Sequence, residues 1–274
     1  MKIAQYFLGE EIRLGIIEND KLIPIRFEGD MVDFMVAGKP AEKAGDPLPL
    51  DEVKLAAPVT RPSKIIAIGL NYRDHAEENK MEIPENPLVF AKFPSSLLEP
   101  NGTITWNEAV TQRVDYEAEM AVIIGKKIYE GAEADADQAV FGYACANDVS
   151  ARDHQREDGQ WIRGKSLDTF CPLGPWIVTA DEIPDPHSLP IQCIVNNEVM
   201  QSSNTNQLIF RIPRLVAFLS RHFTLLPGDI ILTGTAGGVG VFRKPQVFLK
   251  DGDEVIVEIQ GIGRLVNRCK VISS

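Results

Sequence analysis

The chain of 274 residues is long enough for one sizeable hydrophobic core, with room for a small second domain. Its apolar fraction of 44% and charged fraction of 24% are typical of a globular enzyme. The formal net charge of −11 argues against nucleic acid as a partner, because phosphate binding requires a basic surface. A small anionic substrate stays possible, since a metal ion and a few fixed cations can reverse the local field.

The compartment is inferred from the cysteines and from the start of the chain. The four cysteines show no CxxC pairing, which favours free thiols in a reducing environment. Charges at Glu10, Glu11 and Arg13 interrupt the first residues, so no signal peptide is predicted. No apolar run is long enough to span a bilayer, and we expect no membrane partner. The expected location is the cytoplasm, and an organellar matrix stays open.

The first sixty residues alternate short strand patterns with turn signals. Three strands of an antiparallel meander are predicted, at Lys2–Phe7, Arg13–Ile17 and Lys21–Ile25. No recognisable chemistry lies in this part. We therefore predict a small N-terminal accessory domain over residues 1–60 and a catalytic domain over residues 61–274.

A histidine and a glutamate follow the first buried strand of the second part. If a short helix begins at Asn71 or Asp74, His75 and Glu78 share one face at i and i+3. A carboxylate beside an imidazole fixes its tautomer and raises its basicity, as a general base requires. The alternative is a solvated pair on a surface helix. The proline-rich segment 83–87 follows, and the whole stretch is a candidate mobile lid.

An acidic stretch at residues 113–125 provides the strongest chemical signal. Asp115, Glu117 and Glu119 alternate ahead of an apolar run, so a strand would point all three carboxylates to one side. Close like charges require a neutralising cation, and oxygen ligands suit Mg²⁺, Mn²⁺ or Ca²⁺. The alternative is an edge strand with a solvated acidic face. Asp148 follows another apolar stretch and could complete a metal site from a neighbouring strand.

Further polar residues lie downstream of this stretch. Asp148 is predicted near the N-cap of a short helix, one turn before Arg152 and Gln155, where an anionic substrate's oxygens would lie. Lys165 lies in a turn-rich, partly apolar stretch, and a half-buried lysine there would favour a bound carboxylate. The glycine-rich turn after residue 229 can present backbone N–H groups and the hydroxyls of Thr233 and Thr235 to an anion.

The predicted elements together are mainly β with a few short helices, one of them an amphipathic helix over Ile212–Phe223. Four motifs, in this order and at these spacings, resemble the fumarylacetoacetate hydrolase superfamily over roughly residues 60–270: DYEAEMAVIIG, NDVSARD, GKSLDTFCPLGP and ILTGTAGGVG. The resemblance implies a mixed β-sandwich roll that forms a homodimer. One departure is Ala236, where the superfamily usually has proline.

The resemblance also implies the roles of individual residues. The metal ligands would be Glu117, Glu119 and Asp148, which leaves Asp115 outside the set. His75 and Glu78 would form an acid/base pair on the lid, and Lys165 would be the active-site lysine. The residues that hold substrate oxygens would be Arg152, Gln155 and Thr235. The implied cofactor is Mg²⁺, with Mn²⁺ possible and Ca²⁺ as a substitute.

The activity that follows is metal-dependent chemistry on 2-oxo and 2,4-dioxo acids. A cation that binds the substrate's carboxylate and keto oxygens stabilises the enolate formed when a neighbouring C–C bond breaks. We rank hydrolysis of acylpyruvates or decarboxylation of oxaloacetate first, and keto–enol tautomerisation of oxaloacetate as the alternative. A non-catalytic metal-binding relative is the third hypothesis, and the presence of the acid/base pair and the lysine argues against it.

Overall fold

The structure is a computed structural model, and it describes residues 1–272. Within this part of the chain there are eighteen strands: β1 (Lys2–Leu8), β2 (Glu11–Glu18), β3 (Lys21–Pro24), β4 (Leu48–Pro49), β5 (Ile65–Gly69), β6 (Leu88–Lys92), β7 (Leu97–Leu98), β8 (Thr103–Asn107), β9 (Val114–Asp115), β10 (Ala118–Ile124), β11 (Val140–Asn147), β12 (Ser150–Ala151), β13 (Cys171–Thr179), β14 (Pro190–Val195), β15 (Glu198–Asn204), β16 (Ile230–Thr235), β17 (Glu254–Ile259) and β18 (Gly263–Ile272).

The helices are few and mostly short. The α-helices are α1 (Met31–Ala37), α2 (Arg73–Glu78), α3 (Ala136–Ala139), α4 (Arg152–Asp158), α5 (Ile162–Lys165) and α6 (Ile212–His222). Single 3₁₀ turns cover Leu50–Glu52, Pro94–Ser96, Glu133–Asp135, Ala180–Glu182, Thr205–Gln207 and Gly240–Phe242. The prediction of a mainly β protein with short helices is confirmed. No helix among the described residues is both long enough and apolar enough to cross a membrane.

Two large sheets form the body of the protein. An eleven-stranded mixed sheet runs in the order β4-β3-β2-β1-β13-β11-β10-β16-β5-β6, with β7 paired to β13 at the side. A five-stranded sheet runs in the order β15-β14-β17-β18-β8, and a small ribbon joins β12 to β9. The five-stranded sheet packs on one face of the large sheet, where β14, β17 and β18 contact β10, β11 and β13.

The central strand β10 is buried on both faces of the large sheet. Met120 and Val122 point into the core shared with the five-stranded sheet. Ala121 and Ile123 point into a second core on the opposite face, which the side chains of α1 help to cover. A strand that is apolar on both faces cannot be the solvated edge that the acidic stretch allowed as an alternative. The acids at its beginning are therefore held at the centre of the sheet.

The N-terminal strands form the predicted meander and also extend the large sheet. Asn19 and Asp20, with φ of 48° and 58°, make the tight turn between β2 and β3. β1 pairs with β13 through Lys2 with Val178 and Ile3 with Ile177. The sheet thus continues from the first residues into the second part of the chain. The division into domains at residue 60 stays a prediction.

Two local predictions around the acids differ from the structure. The acidic stretch is not one strand, because β9 ends at Asp115 and β10 begins at Ala118. Asp148 does not cap a helix either; β12 follows it, and the residue that precedes α4 is Ala151. The ribbon between β9 and β12, which pairs Asp115 with Ser150, explains both differences. The predicted helix over Ile212–Phe223 is confirmed as α6.

Candidate active site

Three carboxylates converge where β10 and β11 meet. One oxygen from each of Glu117, Glu119 and Asp148 lies within 4.8 Å of the others, and all three residues are buried. Glu117 and Glu119 flank the first residue of β10, and Asp148 follows the last residue of β11. Because β10 and β11 are antiparallel neighbours, with Ala118 opposite Asn147, the two ends lie side by side. The structure thus brings the predicted ligands together in a candidate metal site.

Backbone hydrogen bonds hold these carboxylates in position. The Asp148 N–H donates to the Glu117 carbonyl oxygen at 2.9 Å, and the Glu117 N–H donates to Asn147 Oδ1 at 2.9 Å. The Gly234 N–H donates to Glu119 Oε2 at 2.7 Å. Gly234 has φ of 97°, and a side chain there would meet Asn71 and the Ile68 carbonyl. Glycine lets the backbone approach the carboxylate closely.

Asp115 lies outside the group of three. Its carboxylate accepts hydrogen bonds from the Gly240 N–H at 2.8 Å and the Val241 N–H at 3.0 Å. It also accepts from Arg152 Nε at 2.8 Å. The inference that three alternating acids face one site is therefore wrong, because the strand is interrupted between Asp115 and Ala118. Asp115 anchors the glycine-rich turn and Arg152 instead.

Three buried cations accompany the acids. Lys165 Nζ donates to Glu117 Oε2 at 2.8 Å and to Asp148 Oδ2 at 2.7 Å. Arg152 Nη2 lies 2.7 Å from Glu117 Oε1. Lys92 Nζ donates to the other oxygen of Asp148 at 2.6 Å. Lys165 is 1% exposed, so it is more deeply buried than the sequence predicted.

Lys92 was not identified from the sequence. It ends β6, and its ammonium group also donates to the backbone carbonyls of Val149 and Lys165. A lysine that ends an apolar strand normally reaches solvent, and only its three tertiary partners keep it inside. The available signal was its place directly after Leu88-Val-Phe-Ala and before Phe93-Pro94, with apolar or turn residues on both sides.

The charges of this buried cluster do not balance. Four carboxylates, those of the candidate ligands and of Asp115, face three cations, those of Lys92, Arg152 and Lys165. Burial, followed by the charges of Asp148 and Glu117, raises the pKa of Glu119 well above its usual value. Burial would also raise the pKa of Glu117, but Lys165 and Arg152 lower it. The excess negative charge therefore acts mainly on Glu119, whose proton is held more tightly.

A hard divalent cation fits this donor set. It would neutralise the excess charge, and the cluster would become positive by one unit, which suits an anionic substrate. Three carboxylate oxygens are ligands that Mg²⁺ and Mn²⁺ accept, with water or substrate oxygens completing the coordination. Lys165 keeps its proton here, because although burial lowers its pKa, Asp148 and Glu117 raise it further.

A pocket of about 440 Å³ opens above the carboxylates. Its floor carries Glu117, Glu119 and Lys165, and its walls are largely apolar. The main apolar contributors are Ile68, Leu70, Met81, Leu88, Phe90, Trp161, Val241 and Phe242. Apolar walls that surround a few converging charges are typical of a small-molecule site.

His75 lines the same pocket, and its ring is 5.7 Å from the ring of Phe242. Burial lowers the pKa of His75, and this effect exceeds the opposing influence of Glu117. The imidazole is consequently neutral near neutral pH and able to accept a proton. The structure therefore places a potential base and the charged floor in one pocket.

The predicted contact between Glu78 and the imidazole differs from the structure. Glu78 Oε2 accepts from the Gly238 N–H at 2.9 Å. The ring partner is Asn79, whose Nδ2 lies 3.4 Å from His75 Nδ1. α2 has only six residues, and Asn79, four residues after His75, reaches the ring while Glu78 turns towards the glycine-rich loop. Glu78 thus links α2 to that loop, and its catalytic role stays a prediction.

The remaining predicted substrate residues also line the pocket. Gln155 Oε1 accepts from Arg152 Nη1 at 2.8 Å, so the two act as one polar unit. Thr235 Oγ1 donates to the Ala118 carbonyl at 3.0 Å and accepts from Gln201 Nε2 at 2.8 Å. Gln201 also donates to the carbonyl of Ala236, the residue at which the sequence departs from the superfamily pattern.

We expect the segment 71–86 to exchange its amide hydrogens more slowly when oxalate binds the Mg²⁺-loaded protein. A short helix followed by a turn-rich stretch has few cooperative contacts, and an anion on the floor would hold His75 inward. Hydrogen exchange with and without oxalate measures this effect. Glu78→Gln, which weakens the contact between α2 and the glycine-rich loop, should lessen the protection. Glu77→Gln, a change in an exposed neighbour, serves as its control. Equal protection in both states would identify the segment as fixed structure and restore the solvated-pair interpretation.

The fold and the buried site define a class of protein. A family model described as fumarylacetoacetate (FAA) hydrolase C-terminal matches residues 64–270, and one described as Rv2993c-like, N-terminal, matches residues 1–58. The chain belongs to the fumarylacetoacetate hydrolase family.

The chain is also similar to individual proteins of this family. The chain is 52% identical over 222 residues to a Rattus norvegicus protein named oxaloacetate tautomerase Fahd2a, mitochondrial, a match covering 81% of this chain and 71% of that protein. The structure of a fumarylacetoacetate hydrolase from Exiguobacterium antarcticum is 37% identical, with a TM-score of 0.92 over 99% of this chain and 100% of the other. A maleylpyruvate hydrolase from Sphingobium sp. SYK-6, in complex with manganese(II) and pyruvate, is 32% identical, with a TM-score of 0.81 over 99% of each chain.

Proposed function

We propose that this protein is a divalent-metal-dependent enzyme that interconverts the keto and enol forms of oxaloacetate. One observation carries the proposal: a single pocket is lined by two carboxylates of the three-carboxylate site, a protonated lysine and a neutral imidazole. Moving a proton next to a carbonyl requires a base and a stabiliser of the negative charge on oxygen. The similarity to the rat protein named oxaloacetate tautomerase supports this substrate over other 2-oxo acids.

The proposed ligands of the cation are Glu117, Glu119 and Asp148. When bound there, Mg²⁺ or Mn²⁺ would supply positive charge to the carboxylate and keto oxygens of the substrate. Lys92 and Lys165 hold Asp148 between them, which fixes the direction of its oxygens. Loss of a residue that orients a metal ligand typically costs about 10–100-fold in metal affinity or activity.

The proton transfer is assigned to His75. Its neutral imidazole removes a proton from the carbon next to the keto group, and the protonated ring returns that proton to the neighbouring oxygen. No atom is gained or lost, so the reaction is an isomerisation. Lys165 and Arg152 contribute fixed positive charge where the oxygen becomes negative. The apolar walls, among them Phe90 and Trp161, exclude water and strengthen these interactions.

Hydrolysis of a C–C bond in an acylpyruvate is the second candidate. It is favoured by the similarity to a maleylpyruvate hydrolase and uses the same pocket, with His75 activating water. The sequence alone ranked hydrolysis or decarboxylation ahead of tautomerisation. We reverse that order because the 52% identity to the rat protein exceeds the 32% identity to the hydrolase. Decarboxylation of oxaloacetate stays a prediction.

Two further expectations belong to this proposal. We expect a homodimer, which sedimentation of the purified protein measures directly. The cytoplasmic location is also a prediction, and the organellar alternative gains support from the rat relative, which is named as mitochondrial.

The test compares isomerisation with bond cleavage on one preparation. We expect the Mg²⁺-loaded protein to accelerate decay of the oxaloacetate enol, followed by its ultraviolet absorbance, and chelation to remove the acceleration. NMR on oxaloacetate, acetylpyruvate and fumarylpyruvate records any cleavage in parallel. If the enol decays no faster with the protein than in buffer alone, and an acylpyruvate is cleaved, the tautomerase proposal is wrong and the hydrolase proposal replaces it.

A further inference from the structure

The pocket wall carries two arginines that the charged floor does not use. Arg113 and Arg156 line the pocket together with His75. Arg156 lies four residues after Arg152 on α4, and the Arg113 carbonyl accepts from the Arg152 N–H at 2.9 Å. The two arginines also share a shallow concavity with Arg152 beside the pocket. The three guanidinium groups therefore belong to one region of the surface.

Arg113 and Arg156 differ from Arg152 in having no carboxylate partner. Arg152 is bound to Asp115 and Glu117, whereas neither of the other two forms an ion pair within residues 1–272. Two acids line the same concavity, Asp153 and Glu157, and Glu157 Oε2 lies 3.8 Å from Arg163 Nη2. The Asp153 carboxylate accepts from Thr111 Oγ1 at 2.7 Å and from the Gln112 N–H at 3.1 Å.

This pair of unpartnered cations stands out in a chain with a net charge of −11. Adjacent like charges that form no ion pair repel each other, and a bound anion would relieve this repulsion. Arg113 is held near the pocket by Phe248, whose ring centroid lies 5.8 Å from the guanidinium carbon. An arginine fixed on an aromatic ring loses less freedom when it binds a carboxylate.

We propose that Arg113 and Arg156 form a second anion subsite that binds the distal carboxylate of a dicarboxylic 2-oxo acid. The inference rests on the proposed function, because it assumes that the 2-oxo carboxylate end binds at the floor. Oxaloacetate then has its other carboxylate directed along the pocket wall. Among the lining residues that the structure describes, the cations are Arg113, Arg152, Arg156 and Lys165. Arg152 and Lys165 contact the carboxylates of the floor, which leaves Arg113 and Arg156 for the distal carboxylate.

The subsite would select dicarboxylic over monocarboxylic substrates. Apolar walls cannot stabilise the distal charge, so a diacid depends on the two arginines while a neutral distal group does not. A planar guanidinium can bind a carboxylate through two parallel hydrogen bonds. The selectivity thus arises at the wall, apart from the proton transfer itself.

The binding experiment uses the Mg²⁺-loaded protein and two anions. Oxalate occupies the floor alone, and a difluorinated oxaloacetate that cannot enolise also carries the distal carboxylate. In the double variant Arg113→Gln/Arg156→Gln, calorimetry should show that the affinity for the fluorinated diacid falls by roughly ten- to hundredfold. This is the loss expected when hydrogen bonds to a charged group are removed. The affinity for oxalate should not change. Lysine in place of both arginines should restore part of the affinity.

Arg221→Gln/Arg264→Gln is the matched control, because it removes two positive charges from exposed arginines outside the pocket and the concavity. Equal losses for oxalate and the diacid, or an equal loss in Arg221→Gln/Arg264→Gln, would overturn the subsite in favour of general electrostatic attraction. The tautomerase assay adds a second readout with oxaloacetate and its monoester blocked at the distal carboxylate. The parent should prefer the diacid, and the double variant should not. If the parent lacks tautomerase activity but still binds the fluorinated diacid through the arginines, the proposed function fails and the subsite stands.

Discussion

Glu119→Gln should abolish tight Mg²⁺ binding and every catalytic activity of the protein together. Glu119 is the carboxylate whose pKa is raised most clearly by burial and by the charges of Asp148 and Glu117, so it gains most from a cation. Glutamine preserves the acceptor for the Gly234 N–H but removes the negative charge. Loss of an outer partner of a metal ligand already costs about 10–100-fold in affinity, and loss of a ligand should exceed about a hundredfold.

Calorimetric Mg²⁺ titration of the variant and the parent measures this effect, with circular dichroism to verify the fold. Glu10→Gln, an exposed turn residue, provides the same change of charge away from the site. The Asp115→Asn variant is informative beside it. Because Asp115 binds Arg152 and the loop at Gly240, its loss should reduce stability more than metal affinity. Unchanged Mg²⁺ affinity in Glu119→Gln would place the metal elsewhere.

His75→Ala should lower kcat/KM for tautomerisation about 10²–10⁴-fold, the usual range for general acid–base catalysis. Hydrolysis of an acylpyruvate should fall equally, because an activated water requires the same base. Decarboxylation of oxaloacetate should fall less, by about tenfold if only orientation is lost. The three rates are compared at saturating Mg²⁺, with His222→Gln, a change in an exposed histidine of α6, as the control. An equal loss in hydrolysis and decarboxylation would indicate that His75 acts mainly by closing the pocket.

The pH dependence tests the same role of His75. Burial lowers the pKa of this imidazole, so the neutral, proton-accepting form persists to lower pH than in an ordinary histidine. The parent's kcat/KM should therefore remain high below the usual histidine pKa of about 6.5 and decline only when the pH falls through the lowered value. His75→Ala should lack this acidic decline. If the parent's kcat/KM already declines above a pH of about 6.5 as the solution is acidified, a lowered pKa of His75 is not the cause of the decline.

The roles of Glu78 and Asn79 can be separated in the same assay. If Asn79 orients the ring, Asn79→Ala should lower kcat while Glu78→Gln acts mainly on the loop through Gly238. The sequence favoured Glu78 because i and i+3 residues share a face in a regular helix. In a helix of six residues, loop contacts decide where each side chain points.

Much of the fold follows from local patterns in the sequence. β1 and β3 begin at the predicted residues, Lys2 and Lys21, because each is a short β-prone run bounded by turn signals. The turn at Asn19 and Asp20 is also predictable, since asparagine and aspartate tolerate positive φ. These features depend on residues that are close together in the chain.

Other features depend on pairing between distant segments, and local patterns do not contain them. The ribbon of Asp115 with Ser150 interrupts the acidic strand and turns Asp115 towards Arg152. Lys92 is buried because Asp148, 56 residues further along the chain, accepts a hydrogen bond from its ammonium group. In the candidate site, the sequence therefore identifies which acids and cations take part, and the tertiary structure decides which of them touch.

β1 pairs with one edge of β13 at Ile177 and Val178. β13 itself contributes Ile177 to the second core. Without β1, those backbone groups would form an open strand edge, and open edges readily pair with other chains and aggregate. The N-terminal segment thus protects the solubility of the catalytic sheet, although it contributes no residue to the pocket lining. Any segment that replaced β1 in this chain would therefore have to supply a strand or a cap that covers the same edge of β13.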